Sequence, residues 1–138
     1  MSNRLLVDTN ILIYAVDEDS KYHGQSLYLI QNSEYSLFLT SKNITEFFVA
    51  LTRTPDINIS IRECLACLDS LLPYFDVIYP NQGSLEKLKY LIYKYNPSGL
   101  WIHDLEIISM AMEYKISRIA TKNLQDFEKV EEIEIITL

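Results

Sequence analysis

The sequence predicts an α/β fold, a three-layer α/β/α sandwich around a mostly parallel sheet of about five short strands. Three observations carry that expectation. Short apolar runs alternate with longer helical patterns, the arrangement that crossover helices between parallel strands produce. The chain has 138 residues, the length of one domain with a substantial core. Only 3 Gly and 4 Pro punctuate it, and no repeat, low-complexity tract or linker divides it. Residues 1–138 are therefore read as a single domain.

The first strand, residues 5–7, ends abruptly on the carboxylate of Asp8. Helical patterns follow over residues 10–16 and 21–31, with Asp17, Asp19 and Ser20 as turn or cap residues between them. The second strand covers residues 37–40, and Ser41 is a plausible N-cap for the next helix. There Ile44, Phe47, Phe48 and Leu51 recur at i, i+3, i+4 and i+7, a core-facing stripe. Asn43, Glu46, Ala50 and Arg53 gather on a different face. Ser60 and Glu63 form a capping box, with Ile59 and Cys64 placed as its hydrophobic staple, so a helix starts there and runs to about residue 72, where Pro73 ends it.

A third strand is expected at residues 77–79, then a helix over residues 84–95 with Leu85, Leu88, Leu91, Ile92 and Tyr95 on one side. The same stretch interleaves Lys87, Lys89 and Lys94 with Tyr90 and Tyr93. Basic and aromatic groups together can hold phosphates and stack bases, which makes Lys87, Lys89, Tyr90 and the earlier Arg53 candidate RNA contacts. A lysine-rich solvated face is the competing reading. After the Asn96-Pro97-Ser98-Gly99 turn, residues 102–114 are apolar nearly all round and must be largely buried. Asp104 opens that helix, and a carboxylate there is either a helix-dipole partner or a functional group. Residues 119–121 and 133–138 read as the last two strands.

Composition bounds the function. With 49% hydrophobic and 22% charged residues the chain matches a soluble globule. It carries no apolar run of about 20 residues and no secretory h-region at its start, so no membrane association and a cytoplasmic location are expected. A net charge of −7 argues against a protein that coats nucleic acid through a basic stripe. It leaves open an enzyme that meets phosphate through a metal ion. Cys64 and Cys67 lie inside an amphipathic run far in sequence from His23 and His103, so they read as buried apolar groups rather than a redox or zinc pair.

Asp8 after strand one, Glu46 after strand two, Asp104 on a buried helix, and Thr121 and Asn123 after a later strand can converge at one sheet edge. Three carboxylates within about 5 Å would repel by roughly 3 kcal/mol per pair at an effective dielectric near 20. Such a cluster needs a cation or a shared proton, and oxygen ligands suit Mg²⁺ or Mn²⁺.

Leu6 to Leu12, Ser41 to Arg53 around Glu46, His103-Asp104, and Ala120 to Phe127 resemble the successive motifs of a PIN domain, and together they span nearly the whole chain. Bacterial PIN domains of this length include the VapC-type ribonuclease toxins. The resemblance implies Mg²⁺- or Mn²⁺-dependent RNA cleavage, a homodimer, and an antitoxin partner that covers the site. It places Asp8, Glu46 and Asp104 at the family's acidic metal-binding positions, with Thr9 as a supporting hydroxyl and Asp126-Phe127 as a structural pair. Asn43 and Thr121 join the supporting set. The family's fourth acidic position falls on Asn123, which offers a carbonyl oxygen but no charge. The resemblance leaves two further readings, a PIN-like interaction or RNA-binding module with weak or lost catalysis, and an aspartyl nucleophile at Asp8. The missing glycine-rich turn after strand one argues against a dinucleotide-binding fold.

Overall fold

The computed structural model describes residues 3–55 and 57–138. Strands β1 (Arg4–Val7), β2 (Ser36–Thr40), β3 (Asp76–Ile78), β4 (Arg118–Ala120) and β5 (Glu134–Ile136) form one sheet in the order β3-β2-β1-β4-β5. Every neighbouring pair is parallel, with Leu5 beside Leu37 and Val7 beside Ala120. The helices are α1 (Thr9–Val16), α2 (His23–Asn32), α3 (Ser41–Arg53), α4 (Ile61–Leu71), α5 (Gln82–Tyr95), α6 (Trp101–Glu113) and α7 (Leu124–Phe127).

β1 is the centre of this arrangement, and its side chains divide between the two faces because strand neighbours point oppositely. Leu5 and Val7 join Ile11, Leu12, Phe47 and Cys64 under α1 to α4. Leu6 joins Phe38, Leu91, Leu105, Ile108 and Phe127 under α5 to α7. These are the two seams of a three-layer sandwich, as expected. Because all strands run the same way, their carboxyl ends open on one edge, where Asp8 and Thr121 follow β1 and β4 directly.

Several boundaries differ from the sequence reading, each for a local reason. Thr40, not Ser41, caps α3, and its side chain pairs reciprocally with Asn43 in a capping box. α5 begins earlier, at Gln82, because Asn81 caps it with Ser84 as the returning side chain. α6 begins at Trp101. β3 stops at Ile78, leaving Tyr79 exposed. β5 shortens to Glu134–Ile136. On α5, Leu91 is buried, whereas Leu85 and Ile92 stay exposed at 53% and 37%, so its buried stripe is narrower than periodicity implies. The capping box at Ser60 and Glu63 forms as expected. Cys64 is buried and Cys67 partly so, both as free thiols.

Candidate active site

The site is built where β1 turns into α1. The Asp8 backbone N–H still bonds to Ala120 O at 2.9 Å, while its side chain caps α1 by accepting from Thr9 N at 2.9 Å. Thr121 Oγ1 donates to Asp8 Oδ2 at 2.7 Å and accepts from Asn10 Nδ2 at 3.2 Å and Asn123 N at 2.9 Å. The fully buried Thr121 hydroxyl is thereby spent, and it fixes the carboxylate above it.

A second relay fixes Glu46. Asn43, fully buried, accepts at Oδ1 from Thr40 N at 3.1 Å and Thr40 Oγ1 at 2.7 Å. Its Nδ2 donates to Thr9 Oγ1 at 3.0 Å, and Thr9 Oγ1 donates to Glu46 Oε1 at 3.1 Å. One capping residue thus starts α3 and orients the glutamate one turn along it. Glu46 itself lines the cleft.

Asp104 reaches the same cleft from the first turn of α6, and Asp126 reaches it from α7. Asn123 Nδ2 donates to Asp126 Oδ2, and Trp101 Nε1 donates to Asp126 O at 2.8 Å, tying α7 to the start of α6. The cleft, about 700 Å³, is lined by Asp8, Thr9, Glu46, Arg53, Asp104, Asn123 and Asp126 among others.

Its charge is out of balance. Burial pushes Asp8 up to about 6, against hydrogen bonds from Thr121 and Thr9 that pull it down, with Glu46 and Asp126 raising it further. Burial and then the neighbouring carboxylates of Asp126, Asp8 and Glu46 push Asp104 up to about 7, with Lys42 opposing. Lys42 itself is held by Glu106 at 2.8 Å. Unpaired acids converging on one cleft favour protonation or a cation.

Asp8, Thr9, Glu46, Asp104, Asn123, Asp126 and Arg53 therefore share one cleft, and Asn43 and Thr121 support it from beneath. Lys87, Lys89 and Tyr90 do not line it. Lys87 pairs with Glu113 at 2.7 Å, Lys89 with Glu86 at 3.5 Å, and Tyr90 Oη donates to Glu132 at 3.2 Å. Lys87 and Tyr90 thereby tie α5 to other parts of the chain, whereas Lys89 pairs within the helix. The carboxylate that sequence reasoning undervalued is Asp126. Its spacing of i+3 from Asn123 was the available signal, since one helical turn carries both to the same side.

An oxygen-only donor set suits a hard cation. Among the described residues, however, no three His, Cys, Asp or Glu side chains are gathered as a metal cage. The carboxylates line an open cleft rather than a closed cage. It fits a hydrated ion that takes one or two carboxylates directly and meets the others through water, the usual habit of Mg²⁺.

A family model described as PIN domain matches residues 5–133. The chain belongs to the PIN-domain family. No curated protein matches the sequence. Among solved structures, this PIN domain is similar to VapBC2 from Rickettsia felis bound to a promoter DNA fragment, at 17% identity and TM-score 0.70 over 98% of both chains. It is also similar to a toxin-antitoxin complex from Klebsiella pneumoniae, at 20% identity and TM-score 0.68 over 96% of both chains. A third is VapC20 from Mycobacterium tuberculosis, a sarcin-ricin loop cleaving toxin, at 13% identity and TM-score 0.65 over 83% of this chain and 86% of that one. At these identities the PIN fold is what is shared.

Proposed function

We propose that this PIN domain is a Mg²⁺- or Mn²⁺-dependent endoribonuclease and the toxin of a VapBC-like toxin-antitoxin pair. The observation that carries the reading is the convergence of Asp8, Glu46, Asp104 and Asp126 on one cleft, with burial and mutual repulsion raising Asp8 to about 6 and Asp104 to about 7. When bound, the ion would polarise a phosphate oxygen and make a water acidic enough to attack the phosphodiester in line. Asp8 and Asp104 would hold it, directly or through water. Glu46, with Oε1 tied to Thr9, would orient and deprotonate the attacking water. Asp126 keeps the far wall acidic under the control of Asn123. No Ser, Cys or His nucleophile is needed.

The remaining partners on this reading are RNA, an antitoxin chain that covers the cleft, and a second copy of this chain, all acting in the cytoplasm within one domain of 138 residues. Two of the similar structures are a VapBC assembly and a toxin-antitoxin complex, and the third carries the sarcin-ricin loop cleaving description, which supports the pairing and the RNA substrate. Among the described residues no helix is long and apolar enough to cross a membrane. The test is incubation of the purified protein with structured RNAs and Mg²⁺ or Mn²⁺ beside Asp8→Asn and Asp104→Asn. Metal-dependent cleavage by the native chain alone is expected, and equal cleavage by all three would overturn the reading. Metal-insensitive RNA binding with no cleavage would favour a binding module instead.

A further inference from the structure

An acidic protein normally neutralises its cations locally, and this one does so for Lys42, Lys87, Lys89, Lys94 and Arg118, each paired with a carboxylate. Lys21 and Lys122 lie outside these pairs, and their ammoniums share one aromatic ring. Lys122 sits between Thr121 and Asn123, and its backbone N–H donates to Asn10 Oδ1 at 3.4 Å, so its backbone adjoins Asn10 and Asn123, which line the cleft. Its ammonium lies 4.2 Å from the centroid of the Tyr22 ring, and that of Lys21 lies 5.1 Å from the same centroid. Tyr14 backs the ring at 5.0 Å. Among the described residues no carboxylate pairs with either lysine.

We propose that Lys21 and Lys122, gathered on the Tyr22 ring beside the cleft, bind a backbone phosphate of the RNA strand next to the position of cleavage. The proposal rests on the nuclease reading and deepens it by fixing where the strand leaves the acidic centre. Both ammoniums lie against the Tyr22 ring, and an exposed cation–π contact is worth only about 0.5–1 kcal/mol, so an anion that reaches them replaces weak contacts with stronger charge-assisted ones. A phosphodiester fits, since ammonium groups contact phosphate as point charges and read no base. The site also resolves an electrostatic difficulty. A substrate that must approach four carboxylates gains an attractive foothold one residue from Thr121 and Asn123.

The test is anisotropy of a short fluorescein-labelled single-stranded RNA over a KCl series in EDTA, where metal-dependent turnover stops, followed by cleavage kinetics in Mn²⁺. Lys21→Ala and Lys122→Ala are each expected to weaken binding about threefold to tenfold and to reduce the slope of log affinity against log salt, and the double variant to reduce it by about 0.7, the value for one phosphate contact on a single strand. KM should rise with kcat unchanged, and Lys122→Arg should restore the slope. Tyr22→Leu, which frees both ammoniums, should fall between. Lys115→Gln removes the same charge beyond the far end of α6 from Asp104 and should do nothing beyond a small uniform change. A DNA strand of the same sequence should show the same dependence on Lys21 and Lys122, because the contact is to phosphate. If both alanine variants match Lys115→Gln in affinity and slope while cleavage persists, the proposal falls and the nuclease reading stands. If the slopes change as expected and no RNA is cut with either metal, the phosphate site stands and the nuclease reading falls.

Discussion

Asn123 Nδ2 donates a hydrogen bond to Asp126 Oδ2, so the uncharged residue in the acidic pattern holds a carboxylate that faces the same cleft as Asp8 and Asp104. An amide in this position supplies a donor that aspartate lacks. The absence of charge at Asn123 is thus offset one helical turn later.

Asp126→Asn is expected to lower kcat/KM for Mn²⁺-dependent cleavage about tenfold to a hundredfold, the range for groups that orient a metal site from its periphery. Asn123→Ala should cost less, since Asp126 keeps its charge and loses only its orientation. Asn123→Asp adds a carboxylate to the cleft and should lower the Mg²⁺ concentration needed for half-maximal activity, while it removes the donor that orients Asp126. Titrating Mg²⁺ against rate in all three checks this, and native behaviour of Asp126→Asn would remove Asp126 from the working site.

Asn43→Ala should lower both stability and turnover. The side chain satisfies Thr40 N and Thr40 Oγ1 and donates to Thr9, so truncation removes a helix cap and strands buried polar groups, at about 2 kcal/mol. It also releases Thr9 from the relay that holds Glu46. Urea unfolding and kcat measured well below the unfolding midpoint separate the two effects. A stability loss with kcat unchanged would make Asn43 purely structural.

The extent to which this site was legible in sequence follows from the range of the interactions that build it. Asp8 was visible because a strand that stops on a carboxylate is a local pattern. Asn43 and Glu46 were visible because helical spacing puts them on one face, although the true cap, Thr40, is the last residue of β2 rather than Ser41. The sheet's parallel order followed from the alternation of elements. Asp126 was undervalued because α7 has only 4 residues, too few for periodicity to assign a face. The partners of the α5 lysines were hidden for a different reason. Lys87 and Lys94 pair with Glu113, Glu131 and Glu132 from outside the helix, and no spacing rule reports a carboxylate 26 or 37 positions away, whereas Lys89 pairs with Glu86 at helical spacing. Lys21 and Lys122 meet on Tyr22 by the same kind of remote encounter.

Gly83→Ala tests one such remote contact. A Cβ at Gly83 would come within 1.9 Å of Glu113 Oε2, and that carboxylate is held by Lys87. Alanine ordinarily gains about 0.5–1 kcal/mol over glycine in a helix. Here the gain should be absent or reversed in Gly83→Ala and should appear when Glu113→Ala is the background. Thermal unfolding of the two singles and the double gives the coupling, and simple additivity would show that Glu113 swings aside freely.

The acid cluster should also make the metal-free protein less stable as pH rises. Burial raises Asp8 from 3.8 to about 6, so the folded chain binds this proton more tightly than the unfolded chain does. The contribution of the group is therefore most favourable below about pH 4 and is lost as pH climbs through about 6, an effect of roughly 3 kcal/mol for a shift of this size. Asp104, raised to about 7 by burial and its acidic neighbours, acts in the same direction. Asp8→Asn keeps a competent N-cap for α1 and removes the titration. In EDTA it should match the native chain near pH 4 and exceed it by about 2–3 kcal/mol near pH 8. Mg²⁺ should then raise the melting temperature of the native chain at pH 8 far more than that of Asp8→Asn, because an ion bound only by the folded state stabilises by mass action. Denaturant unfolding at the two pH values, with and without Mg²⁺, measures both differences. Equal pH slopes for the two proteins would mean that the Asp8 carboxylate is not strained by its surroundings and that a cation is not needed to relieve it.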